Sequence, residues 1–256
     1  MDNVFDDINS YFDKIYVLTL PRLKSRIEYI NKTLKGLNFE FFYGVDKEDV
    51  SYDDLQREGY YENEVFRLYN KRPNKMRIGM LCCAIGHVKM YESIILNGYK
   101  KTLILEDDAI IIENNLAFFN TASKELPEDW DIWYLGYEKN EERNFFELLD
   151  NYSKRIIPYH TSLKMTREIF TNFYPKKISS HISRAGFHDC THAYGITLDG
   201  AIKLIREQKP VKWNPDNALA YLGCNSQLNN YIITPKLFNQ FTAFNENNGT
   251  EFVTLT

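Results

Sequence analysis

Glycine is scarce in this chain, 12 of 256 residues. None falls in a Gly-x-Gly-x-x-Gly array or in a phosphate loop ending Gly-Lys-Ser/Thr. A nucleotide bound here is therefore held by side chains and metal, not by a glycine cradle. Cysteine is equally sparse. Cys82, Cys83, Cys190 and Cys224 show no Cys-x-x-Cys spacing, which argues against a structural zinc site and leaves free, buried thiols in a reducing compartment as the expectation. Positive charge is spread thinly. Against 35 acidic residues stand 31 Lys and Arg, for a net charge of −4, and no basic block supplies the electrostatic footprint of a nucleic-acid binder. No apolar run approaches the ~20 residues that span a bilayer. The acidic start, Met1-Asp2-Asn3-Val4-Phe5-Asp6-Asp7, lacks the basic and apolar regions of a signal peptide. These absences predict a cytoplasmic protein with no transmembrane segment; peripheral membrane contact stays open. Three Asn-x-Ser/Thr triplets, at Asn31, Asn151 and Asn248, are then chance matches.

What is present is ample material for a core. Apolar residues make up 44% of the chain and aromatics 15%, far above a disordered composition. Lys14–Leu20 reads as a buried strand. A helical pattern follows Pro21, with Leu23, Ile27, Ile30 and Leu34 on one face and Gly36 at its end. Phe39, Phe41, Tyr43 and Val45 alternate as a second strand, completing a βαβ unit. Residues 51–77 read as a long, tyrosine-rich surface excursion with room for a short helix. A helix from Ala84 or Ile85 to Leu96 is capped by Gly98. Further strands are predicted over Asp131–Gly136 and Tyr194–Leu198, the latter followed by a helix with Asp199 as N-cap. Residues 137–185 show no clean period and read as loop or lid. Strands alternating with helices give an α/β fold with a mostly parallel twisted sheet flanked by helices. One domain over 1–243 and a C-terminal tail over 244–256 follow.

The segment richest in chemistry is Leu103-Ile104-Leu105-Glu106-Asp107-Asp108. Three apolar residues of a buried strand run directly into three carboxylates. In open parallel sheets ligands bind beyond the carboxyl ends of the strands, and that is where these acids fall. Alternation along the strand puts Glu106 and Asp108 on one side and Asp107 on the other. Three acids together repel, and a divalent cation with oxygen ligands relieves the repulsion. Asp108, the last of the three and the one reaching furthest into the cleft, is the expected ligand for the divalent cation. Arg22 and Arg26, four apart, are expected on one helix face beside the first strand, where they and the helix N-terminus hold an anion. His87 is expected to cap or orient its helix. His188 and His192 are not expected to bind zinc, because the local pattern is not helical.

The order of these pieces resembles glycosyltransferase family 25, which includes lipooligosaccharide and collagen-type galactosyltransferases. The resemblance rests on Ile15–Arg22 with Arg26, on Leu103–Asp108, on Asp129–Gly136, on His192–Thr197 with Gly200, Ala201 and Leu204, and on Asp216. Cys82–His87 departs: the family has glycine where Cys82 stands and serine where Gly86 stands. The resemblance implies a GT-A nucleotide-sugar fold, a UDP-sugar donor carrying galactose or glucose, Mn²⁺ or Mg²⁺, inversion at the anomeric carbon, and a glycan or protein hydroxyl as acceptor. It also implies donor contacts from Thr19, Arg22, Arg26, Glu106 and Asp107. Asp216, in a Trp-Asn-Pro-Asp-Asn stretch read as a turn, is the expected general base, with Asp189 next in line. A nucleotidyltransferase-like metal enzyme and an inactive sugar- or protein-binding module of the same fold are the competing classes.

Overall fold

The computed structural model describes residues 3–70, 75–142, 149, 163 and 165–241. In chain order the elements are α1 (Asp6–Tyr11), β1 (Lys14–Thr19), α2 (Lys24–Thr33), β2 (Glu40–Tyr43), α3 (Tyr52–Arg57), α4 (Asn63–Tyr69), α5 (Ile78–Asn97), β3 (Lys101–Glu106) and β4 (Ala109–Ile111). A 3-10 turn over Glu113–Phe118 leads to α6 (Phe119–Glu125) and β5 (Ile132–Glu138). Next come α7 (Arg167–Thr171), β6 (Lys176–Lys177), β7 (Ile182–Arg184) and β8 (Asp189–Thr197). The chain continues through α8 (Leu198–Gln208), α9 (Pro215–Cys224), β9 (Asn230–Ile233) and β10 (Phe238–Gln240).

The main sheet has the strand order β2-β1-β3-β8-β5-β9-β7-β6. β1 pairs in parallel with β2 and β3, and β5 with β9. β8 lies antiparallel between β3 and β5, and β7 is antiparallel to β9 and β6. Most strands thus share one direction, as expected of α/β, but the sheet is mixed because β8 returns through its centre. Alternating side chains serve two apolar layers. Tyr16, Ile104, Ile132, Tyr134 and Tyr194 pack with residues of α5, α8 and α9 on one face. Ile15, Val17, Leu103, Leu105, Trp133 and Leu135 pack with α1, α2 and α6 on the other. The continuous apolar runs of β1, β3 and β5 follow from this two-sided burial.

Helix α5 begins at Ile78, six residues ahead of the earliest predicted start. Its first turns are buried against α3 and α4 instead of showing a clean stripe: Leu81, Cys82, Ala84 and Ile85 join Leu55, Tyr60, Tyr61 and Phe66 in a third cluster. Residues 51–69 are accordingly two packed helices and not a loose excursion. Ser51 and Asp54 close a reciprocal capping box at α3. By length and composition α5 could cross a bilayer; here ten of its residues are buried in the core, and Gly98 ends it at φ 67° as expected. At α8 the N-cap is Thr197, whose hydroxyl accepts from the Gly200 amide; Asp199 sits in the first turn instead. Within 137–185, β6 and β7 are sheet strands. The rest of the expected lid, over 143–148, 150–162 and 164, lies outside the described residues, as does the tail over 244–256.

Candidate active site

β3 ends at Glu106, so strand alternation stops there and Asp107 and Asp108 occupy the following turn. The three carboxylates fan out to three sets of partners. Asp107 is clamped from two sides. Thr19, the last residue of β1, donates its hydroxyl to Oδ2 at 2.6 Å, and Arg26 of α2 donates through Nη1 to Oδ1 at 2.5 Å. Both oxygens are thereby taken. Burial pushes the Asp107 carboxyl above the usual range, opposed by Arg26 and Thr19. The clamp ties β1, α2 and β3 together at the sheet's carboxyl edge.

Glu106 accepts from the Thr191 hydroxyl at 2.5 Å and meets His87 Nε2 at 3.2 Å. His87 Nδ1 lies 2.7 Å from the Tyr194 hydroxyl, which is 2.9 Å from that of Tyr91. Burial alone would raise Glu106, but the His87 hydrogen bond and charge, with Thr191, bring it below the usual carboxylate range. His87 lies in mid-helix, so it cannot cap α5; its ring orients Glu106. Asp108 accepts from Gln240 Nε2 at 3.0 Å through Oδ2. Its other oxygen, Oδ1, is buried and has no hydrogen-bond partner among the described residues. Burial and the charge of Glu106 push this carboxyl up to about 7.

These acids floor a cleft of about 330 Å³. Leu18, Leu20 and Val45 give it an apolar wall, and Gly44, Gly79 and Gly86 a flat one. Arg22 and Arg26 both line it, though not on one helix face as expected. Arg22 precedes α2, in the turn after Pro21, and ion-pairs with Asp46. The Arg22 hydrogen bond holds Asp46 below its usual range. The N-terminus of α2, whose N-cap residue Leu23 makes no side-chain cap, opens on the same cleft.

Asp216 does not line this cleft. Pro215 starts α9, so the expected turn is a helix N-terminus and Asp216 falls in its first turn. It accepts from the Asn217 amide at 2.7 Å, from the Asn214 side chain, and from the backbone of Cys190. Burial, then the charge of Asp189, raise it to about 6 against these hydrogen bonds; Glu106 is also within electrostatic reach. Cys190 holds φ 72°, a strained value for a side-chain-bearing residue. Asp189 itself is paired with Lys139. His188 and His192 each bond main-chain atoms, of Lys139, Gly186 and Phe238.

Thr19, Arg22, Arg26, Glu106, Asp107 and Asp108 therefore line one cleft, and Asp216 lies outside it with Glu106 in electrostatic reach. Thr191, Tyr194 and Gln240 went unpredicted as site residues. Tyr194 was expected only as a strand residue. Thr191 belongs to a strand start with no apolar alternation, and Gln240 to a three-residue strand, β10, that pairs with β4 and carries no sequence signal. The thiols are free as expected, but Cys83 is exposed and Cys190 half-buried.

The fold is a mixed α/β sheet flanked by helices, with a carboxylate-lined cleft beyond the carboxyl ends of β1 and β3. Residues 12–219 match the family described as glycosyltransferase family 25 (LPS biosynthesis protein), and the chain belongs to that family. It is 28% identical over 215 residues to a "Glycosyltransferase 25 family member" of Anopheles gambiae, covering 78% of this chain and 30% of that protein. A protein of the same name from Aedes aegypti is 27% identical over 207 residues, covering 77% of this chain and 28% of its own length. The chain thus spans less than a third of these relatives. A solved structure, A197 from STIV, overlays on 86% of this chain and 80% of its own at a TM-score of 0.36 and 10% identity.

Proposed function

We propose that this protein transfers a hexose, galactose or glucose, from a UDP-sugar to a hydroxyl of a glycan or protein acceptor, with inversion and with Mn²⁺ or Mg²⁺. The observation that carries the reading is Asp108 Oδ1: a buried carboxylate oxygen with no hydrogen-bond partner among the described residues, beside two further acids. Oxygen donors of this kind suit a hard divalent cation, so the residues present fit the metal. Asp108 would hold it, and bound there it would neutralise the departing diphosphate.

The chain's own groups supply the rest. Arg22 and the N-terminus of α2 favour an anionic donor at the cleft's rim. Thr19, Arg26 and Asp107 act as a rigid clamp that fixes the edge from which Asp108 projects. This assigns Asp107 and Thr19 to positioning instead of the direct donor contact first expected. Leu18, Leu20 and Val45 give the cleft an apolar side suited to a nucleobase. Glu106, held by Thr191 and His87, faces sugar or ribose hydroxyls. Asp216 stands apart from the nucleotide, as an inverting reaction needs: the base takes the acceptor proton on the face opposite the leaving group.

A panel of nucleotide-sugar donors, with mass detection of transfer and of donor hydrolysis, tests the reading directly. UDP with Mn²⁺ should raise the melting temperature, since a ligand bound only by the native state stabilises it. No shift with UDP but a shift with GDP or a CMP-sugar would overturn the donor assignment.

A further inference from the structure

We propose that Cys83, His87 and Glu106 form a second cation site, selective for thiophilic divalent ions of the zinc class and separate from Asp108. Cys83 and His87 stand four apart on α5 and so share one face of the helix. Glu106 meets them from the end of β3. The Sγ, imidazole nitrogen and carboxylate oxygen lie within 4.8 Å of one another. A tetrahedral zinc with Zn–S of about 2.3 Å and Zn–N and Zn–O of about 2.0–2.1 Å needs ligand atoms roughly 3.3–3.7 Å apart. His87 Nε2 and Glu106 are already 3.2 Å apart, and the Cys83 thiol lies within 4.8 Å of both partners.

Two features mark the trio as built for this purpose. The outer groups are in place: Thr191 orients Glu106, and Tyr194 orients the His87 ring through Nδ1, as the second partners of ligating histidines and carboxylates do. The Tyr91–Tyr194–His87 chain can also run in either direction. With Nε2–H donating to Glu106, Tyr194 donates to Nδ1. With Nε2 on a metal, Nδ1–H donates to Tyr194, which turns its own hydrogen to Tyr91. The His87–Tyr194 and Tyr194–Tyr91 bonds persist with their directions reversed, and the metal replaces the His87–Glu106 bond. The second feature is access. His87 is buried, but Cys83 is exposed and lines the cleft, so an ion can enter from solvent. Desolvation of the sulfur first, and then the charges of Glu106, Asp216, Asp108 and Asp107, push the Cys83 thiol well above its ordinary value; the four carboxylates also attract a cation.

Metal binding balances as follows. Cys83 Sγ–H loses one proton to solvent and the thiolate bonds the ion. His87 binds through a bare Nε2 with its remaining proton on Nδ1, any second ring proton leaving to solvent, and Glu106 binds as a carboxylate. The thiolate sets the selectivity: Mn²⁺ and Mg²⁺ prefer the all-oxygen environment of Asp108, and zinc or cobalt the mixed one.

The site takes Glu106, which the proposed function turns toward sugar or ribose hydroxyls, so an ion bound there competes with those hydroxyls; Asp108 is not among its ligands, and the cobalt band is therefore read separately from transfer activity. The test is anaerobic titration of the full chain with Co²⁺, read as the near-ultraviolet thiolate-to-cobalt charge-transfer band, with Zn²⁺ as competitor. The band should form in the native protein and in Asp108→Asn, vanish in Cys83→Ser and survive in Cys190→Ser. In Tyr194→Phe, which removes the partner of His87 Nδ1, the affinity should fall about 10–100-fold. No band in the native protein, a band retained in Cys83→Ser, or loss of the band in Asp108→Asn would overturn the proposal. Should Cys83→Ser misfold, zinc protection of Cys83 from iodoacetamide in the native chain, located by peptide mass, decides; equal alkylation with and without zinc rejects the site.

Discussion

Arg26 and Asp107 are 81 positions apart in the chain and 2.5 Å apart in the fold, both largely buried. Together with Thr19 they join the first βα unit to the acidic end of β3. Breaking such a pair from one side strands a charge in a poor solvent. Arg26→Ala should therefore cost about 3–5 kcal/mol, while Arg26→Met with Asp107→Leu should recover much of the loss. Urea unfolding of the two variants measures it. Arg26→Ala within about 0.5 kcal/mol of the native protein would show that the clamp contributes nothing.

Asp108 sets a stability penalty that depends on pH. Its carboxyl is raised to about 7 in the fold from an ordinary 3.8. A raised acid gives its full stabilisation below the unfolded value, near pH 4, and loses it as pH climbs through about 7. Without divalent ions, Asp108→Asn should match the native protein at pH 4 and exceed it at pH 8 by roughly 1–3 kcal/mol, the usual cost of an unsatisfied buried polar group. Mn²⁺ should erase the advantage by stabilising only the native carboxylate. Thermal melts at the two pH values, with and without Mn²⁺, give the answer. An Asp108→Asn protein less stable than native at pH 8 without metal would contradict the assignment.

A close approach of backbone to backbone offers a test of packing. A Cβ on Gly200 would sit 2.7 Å from the Asp131 carbonyl oxygen. That oxygen also accepts from the Thr197 amide, so it cannot move without loosening the start of α8. Gly200→Ala should destabilise by about 1–3 kcal/mol despite the better helix propensity of alanine. A neutral or stabilising result in chemical unfolding would mean that the α8–β5 junction is softer than its contacts imply.

Much of the acidic end of the sheet was legible in the sequence because the strands there are buried on both faces. Lys14–Thr19 and Lys101–Glu106 carry unbroken apolar runs, and the acids stand out directly behind one of them. Legibility failed where tertiary contacts override local pattern. The first turns of α5 pack on α3 and α4 and so lack a stripe. β8 begins with Asp189-Cys190-Thr191, polar residues that serve the site instead of the core. Asp216 sits behind a proline that starts a helix where a turn was read. The third partner of the acid cluster, Gln240, is brought home by pairing across some 130 residues, Gln240 with Ala109, and no local signal encodes such a contact.

Asp216 is expected to act as general base, and its surroundings predict how the rate responds to pH. A base works only when ionised. Burial and the neighbouring Asp189 raise its carboxyl to about 6, against the pull of the Asn217 and Cys190 amides. Transfer measured as kcat/KM should thus hold above pH 7 and fall about tenfold for each pH step well below 6. Asp216→Asn preserves the shape and the hydrogen bonds that the side-chain oxygen accepts, but removes the base. It should cut kcat by about 10²–10⁴-fold and flatten the acid limb, while UDP affinity stays near native because the residue does not line the nucleotide cleft. Asp189→Asn supplies the complementary test. Removing its charge relieves the repulsion on Asp216, so the acid limb should shift to lower pH with the maximal rate largely kept. If Asp216→Asn transfers at a near-native rate and Asp189→Asn does not, the base is Asp189 and Asp216 is the residue that tunes it.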